Sequence, residues 1–169
     1  MKLTSLLVGT VLAASSMASY AAAGDSQAIN ITLSGDPIGG YSAGFYANHV
    51  VAGTFTDVFT FSPSIGFSMV DVWIQTMNLQ SRHDIDFTSA DLNGNALSFT
   101  PNGAAENGWL DPSLVSGPLV LTVSGISKSI TASYSGTLNA NPVPEPDTYI
   151  MMLGGLGILS YLGRRRKQS

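Results

Sequence analysis

Thr54-Phe55-Thr56-Asp57-Val58-Phe59-Thr60-Phe61 is the stretch whose reading decides the fold. Phe55, Asp57, Phe59 and Phe61 alternate with Thr54, Thr56, Val58 and Thr60. A period of two in aromatic and β-branched residues is the pattern of a strand with one buried face. Outward from it the pattern repeats. Ile29, Ile31 and Leu33 alternate upstream. Downstream, Phe67–Ile74 carries Val70, Val72 and Ile74, and Ile85 and Phe87 keep the same period. Asn93-Gly94 sits between Asp84–Leu92 and Ala96–Thr100, a two-residue hairpin signal. Leu119, Leu121 and Val123 form a further strand. In the last one Thr131, Ser133 and Ser135 alternate with Ala132, Tyr134 and Gly136, and it ends near Leu138. Seven or eight short strands, with no long helical period between the two ends, predict an all-β domain over residues 24–141. The expected architecture is an antiparallel β-sandwich of jelly-roll or Ig-like type.

Asp57 is the odd member of its row. A carboxylate on an aromatic face needs hydrogen bonds or a cation. Arg82 and Lys128 are the cations expected to reach it, and backbone N–H groups of a neighbouring turn are the other choice. A buried, satisfied carboxylate is the favoured reading over a binding role; a bulge turning it outward is the alternative.

Bulk composition fits this picture. Of 169 residues, 44% are hydrophobic and 11% charged, with 18 Gly, 8 Pro and no Cys. High apolar content argues against disorder, and the Gly and Pro suit a turn-rich β module. Absence of cysteine excludes a disulfide framework, Cys-ligated zinc and thiol catalysis. Within residues 24–141, nine acidic residues face two basic ones, Arg82 and Lys128. An acidic surface repels phosphate, so nucleic acid is not an expected partner.

Both ends differ from the body. Lys2, the apolar run Leu3–Ala14 and the small residues Ser15–Ala23 have the layout of a secretory signal peptide over residues 1–23, with Ala21 and Ala23 meeting signal peptidase's small-x-small requirement. Residues 142–169 combine Pro144-Glu145-Pro146, an apolar run from Tyr149 to Leu162, and the basic block Arg164-Arg165-Arg166-Lys167. The run predicts a short hydrophobic helix of about 21 Å. A bilayer core is about 30 Å thick, so this helix is expected to cross only with local thinning. The basic block favours the cytoplasmic side, and both ends then put residues 24–147 outside.

The tripartite tail resembles the PEP-CTERM sorting signal of Gram-negative bacteria. Val143–Pro146, Tyr149–Leu162 and Arg164–Lys167 supply its three parts. The resemblance implies cleavage near the Pro-Glu-Pro by exosortase, a membrane protease-transpeptidase. Phe55, Asp57 and Phe59 in turn resemble the signature of the FxDxF group of PEP-CTERM proteins. Asp84–Thr88, Leu92–Gly94, Leu121–Gly125 and Tyr134–Leu138 are similar to that group's body. This implies an exported protein and carries no catalytic residues over.

Other candidate chemistry is sparse. Gly-x-Ser-x-Gly is absent. Arg82-His83-Asp84 reads as a polar turn rather than half of an acid–base pair, and the second histidine is His49. Asp84 and Asp86 share a strand face. They suit calcium or a glycosidase pair on paper, but a solvated face is the expected reading. Asp91–Asn95 is similar to the start of a calcium loop, yet Ala96 and Asn102 stand where Gly and Glu are needed, so a hairpin is expected. Asn30-Ile31-Thr32 is a formal glycosylation sequon. No catalytic, cofactor or metal site is expected.

The sequence thus predicts an exported, non-enzymatic structural or adhesive protein of the cell surface or extracellular matrix. Signal peptidase and exosortase act on it during maturation, the tail helix holds it transiently at the inner membrane, and exopolysaccharide of a biofilm is its expected surrounding. The alternative is a carbohydrate-binding module, with Trp73, Trp109 and tyrosines as a stacking platform.

Overall fold

The computed structural model describes residues 24–77, 84–144 and 146–166. The expected signal peptide with Ala21 and Ala23 lies outside these residues, as do Arg82, His83, Glu145 and Lys167. In chain order the elements are β1 Ala28–Thr32, β2 Ser34–Asp36, β3 Gly40–His49, β4 Gly53–Met77, β5 Ile85–Leu92, β6 Asn95–Ala96, β7 Ser98–Phe99, β8 Ala105–Ser127, β9 Ala132–Pro142 and α1 Pro146–Arg166. The strands join one sheet in the order β2-β3-β9-β4-β8-β5-β6, with β1 added to β4 and β7 to β8.

Pairing is antiparallel with one exception. β1 runs parallel to β4, from Ala28 beside Val58 to Thr32 beside Ser62. The remaining pairs among the described residues are antiparallel, as expected. Parallel neighbours need a crossover, and β2 and β3, which pair on the far side of β9, supply it.

The runs expected as separate strands at 55–61 and 67–74 are one strand, β4. Ser62, Pro63, Ser64 and Gly66 interrupt the apolar alternation, but the chain only shifts register there, between Phe61 and Ile65 and again before Ser68. The interruption divides β4 into two working halves. Gly53–Phe61 lies between β1 and the Leu119–Ser127 half of β8, and β5 extends that side. Ser68–Thr76 lies between β9 and the first half of β8, and β3 extends that side through β9. Side chains of the two halves bury one another. Phe45 of β3 meets Phe59 and Phe61 of β4 at 4.7 and 5.6 Å between ring centroids. Phe87 of β5 meets Tyr134 of β9 at 5.4 Å. Phe59, Ile74, Leu121 and Leu138 are fully buried, each contributing on the order of 1.5–3 kcal/mol.

Aromatic rings close the core over glycines that face them across the ladder: Phe45 opposite Gly136, Phe55 opposite Gly125, Phe99 opposite Gly108. A methyl group at Gly136 would lie 2.5 Å from the Phe45 ring and 2.6 Å from the Trp73 carbonyl oxygen. These pairs leave room for a ring only where the partner has no side chain.

The hairpin expectation holds. Asn93 and Gly94 have φ of 49° and 89°, as a type I′ turn requires. Asp91 accepts the Gly94 N–H at 2.7 Å, so this carboxylate closes the turn. The Asn93 side chain donates to Pro118 O at 2.8 Å and accepts from Val120 N–H at 2.8 Å, tying the hairpin to β8.

α1 has 21 residues, about 31 Å of helix. Among the described residues no helix is long and apolar enough to cross a membrane, which corrects the transmembrane expectation. The reason lies in composition: Asp147 and Arg164–Arg166 occupy the ends, and Gly154, Gly155, Gly157 and Ser160 dilute the apolar centre.

Candidate functional site

Asp57 is buried in full, and its partners come from three separate elements. It accepts the Gln27 N–H at 2.9 Å and the Tyr134 hydroxyl at 2.7 Å. Of the expected cations, Lys128 is held by Asp84 and Asp86, and Arg82 lies outside the described residues. The titratable group that faces it is His49, whose Nε2 stands 3.1 Å from Asp57 Oδ2. On the other side His49 Nδ1 meets Asp25 Oδ1 at 3.0 Å, and Asp25 Oδ2 accepts the Val50 N–H at 2.8 Å. The imidazole stacks on Phe55 with ring centroids 3.9 Å apart. Tertiary pairing thus uses His49 to clamp the segment before β1 onto the ends of β3 and β4.

Burial opposes charge on His49, but hydrogen bonding and charge attraction to Asp57 and Asp25 outweigh it and raise its pKa above 6.5. Burial likewise pushes the Asp25 carboxyl up, while the Val50 N–H and His49 bring it below 3.8 overall. Burial and the Asp57 charge push the Tyr134 phenol up, keeping it a donor. The pH dependence follows. A raised histidine contributes stability that is complete below its unfolded value of about 6.5 and disappears as pH rises through its folded value. A depressed carboxyl contributes above about 3.8 and is lost as pH falls through its folded value. The unfolding midpoint is therefore expected to be highest between about pH 4 and 6.5 and to decline toward alkaline pH, with His49→Gln flattening that decline. Thermal scans across pH check this; an unchanged alkaline limb in the variant would remove His49 from the account.

The second polar cluster is not the solvated face expected of Asp84 and Asp86. Both are largely buried and hold the Lys128 ammonium, at 2.8 Å from Asp84 and 2.7 Å from Asp86. Burial pushes the Asp86 carboxyl up, but hydrogen bonds from Lys128 and Asn102 leave it below its ordinary value. Glu106, which sequence reasoning missed, stands with them, oxygens within 4.8 Å of one another. Its carboxylate accepts the Phe87 and Gly103 N–H groups at 2.9 and 3.2 Å. These bonds make the cluster a brace between β5, β8 and the loop before β8.

On the outward face of β4 and β8, Trp73 and Trp109 are cross-strand partners. Their rings stack at 6.2 Å and 26°. Trp73 is 45% exposed, and Tyr46 on the same face is 66% exposed. Asn30 of the sequon is exposed on β1.

The tail begins on the sheet. Pro142 closes β9 opposite Ser68, and the Val143 N–H donates to Phe67 O at 2.8 Å. Pro144 is exposed, and Pro146 opens α1, where its missing N–H costs nothing. Pro144 and Pro146 therefore mark a junction between the last strand and the helix. Arg164 is exposed near the helix end, where positive charge suits the dipole.

No curated protein matches the chain. Residues 142–167 match the family model described as the PEP-CTERM protein-sorting motif. Such signals are recognised by exosortase. The chain therefore carries a PEP-CTERM protein-sorting motif at residues 142–167, the mark of an exported protein processed by exosortase.

Proposed function

We propose that the protein is a non-catalytic structural or adhesive component of the cell surface or extracellular matrix, with a β-sandwich body that exosortase separates from its tail. The observation that carries this reading is the sorting motif joined directly to the last strand, with exposed Pro144 at the junction. The division of the sheet midway along β4 and β8, with Phe45 of β3 against Phe59 of β4 and Phe87 of β5 against Tyr134 of β9 across it, supports a sandwich. In this reading the tail meets the inner membrane only while it is processed. The polar clusters favour a structural role, since Asp57 and Glu106 are bonded within the core or by backbone groups. Phe55, Asp57 and Phe59 of the FxDxF signature then serve stability rather than binding.

A second reading, carbohydrate binding within an exopolysaccharide matrix, is favoured by the exposed Trp73 beside Trp109. The test of the main reading is fractionation of the native host. The body is expected outside wild-type cells and retained, with its tail, in cells lacking exosortase. Equal release from both strains would refute it.

A further inference from the structure

The outward face of β3, β9, β4 and β8 carries more than two tryptophans. Three shallow hollows follow one another across it. The first, about 290 Å³, lies over Trp109, Trp73, Asp71 and Asp111. The second, about 100 Å³, shares Trp73 and continues to Gln75 and Ser135. The third, about 250 Å³, shares Gln75 and Ser135 and ends at Tyr46 and Asn48. Together they form a trough across four strands, about 14 Å at roughly 4.8 Å per strand. Aromatic rings stand toward both ends, with amide and hydroxyl groups between them.

The end beside the tryptophans is built by a bulge. Leu110 pairs with Val72 and Ser113 with Val70, so Asp111 and Pro112 together oppose the single residue Asp71. Two carboxylates are thereby brought to the rim of a stacked tryptophan pair. Asp71 is oriented by the Asn139 amide at 2.8 Å. None of the residues lining the three hollows is a lysine or arginine.

We propose that this trough binds a linear polysaccharide containing amino sugars with free, protonated amines. The proposal rests on the carbohydrate-binding reading above and adds the charge class. Sugar rings have an apolar face that stacks on indole, and a cation is attracted to the face of a tryptophan. Asp71 and Asp111 complement an ammonium group and repel a uronate. Gln75 and Ser135 supply both donors and acceptors for hydroxyl groups in the centre.

Trp73 and Trp109 are the only tryptophans of the chain, so fluorescence excited selectively in tryptophan reports on this face alone. The full-length chain in detergent is titrated at mildly acidic pH with oligosaccharides of glucosamine, of glucose and of uronic acid, matched in length. Glucosamine oligomers are expected to change the emission and to bind at least tenfold more tightly than glucose oligomers, with no response to uronic acid. Asp111→Asn, at an exposed position, is expected to remove most of that preference together with its salt dependence while leaving the unfolding midpoint unchanged. Trp73→Ala, followed by calorimetry, is expected to weaken binding about tenfold or more. Equal affinity for glucose and glucosamine oligomers, or indifference to Asp111→Asn, would overturn the proposal and leave carbohydrate binding standing. No response to any sugar, or a response only to the host's extracellular protein, would overturn both.

Discussion

Asp57→Ala is expected to lower the stability of the body by about 3–5 kcal/mol, the usual cost of removing one partner from a buried ion pair. The carboxylate is wholly buried. Its loss strands the Gln27 N–H, the Tyr134 hydroxyl and the His49 Nε2 at once. A domain of this size is stable by about 5–15 kcal/mol, so the variant folds with a much reduced midpoint or not at all. Asp57→Asn keeps an acceptor oxygen and the shape, and leaves His49 its Asp25 contact; it should lose less than half as much. Thermal or urea unfolding of the three proteins checks the order. A chelator is expected to leave wild type unchanged, because the Gln27 N–H, the Tyr134 hydroxyl and His49 already surround the carboxylate. Equal midpoints for wild type and Asp57→Ala would mean that Asp57 sits in its row for reasons unrelated to stability.

Removal of Arg164–Lys167 is expected to abolish correct processing, leaving no detectable mature form. Four adjacent cations attract an anionic membrane surface, at about 1 kcal/mol per charge, and complete the sorting motif at residues 142–167. Without the basic block the tail lacks one of the three parts of its sorting motif, and the Pro144–Pro146 junction is not expected to be recognised by exosortase. Replacement of the three arginines by lysine keeps the charge and is expected to preserve processing; replacement of all four residues by glutamine is expected to fail. Immunoblots of the whole culture report tailed and tailless forms. Normal maturation of the deletion variant would separate the basic block from sorting.

Much of the body was legible because burial on one face of a strand leaves a period of two. Thr54–Phe61 and Leu119–Val123 show it, and Asn93-Gly94 announces a turn whose positive φ values suit those residues. β3 was not legible. Its inward row includes Ala43 and Ala47, too small to stand out, and ends in His49. The first half of β8 was hidden by Gly108 and by the bulge at Asp111 and Pro112, which break alternation in the sequence but not in the sheet. The polar clusters were half legible. Asp57 declared itself by its company, and Asp84 with Asp86 by spacing. Their partners did not, because His49, Tyr134 and Glu106 are brought in by pairing between strands distant in the chain. His49 in particular reads as an ordinary polar strand end until Asp25 is placed beside it. The tail was the most legible part, since spacer, apolar run and basic block act locally and in order.

The most direct test of the account is intact-mass and terminal-peptide analysis of the protein recovered from outside native host cells. The account predicts a chain that retains the body through β9, ends near Pro144-Glu145-Pro146, and lacks the residues of α1 and the basic block. A recovered chain that still carries Arg164–Lys167 would contradict it.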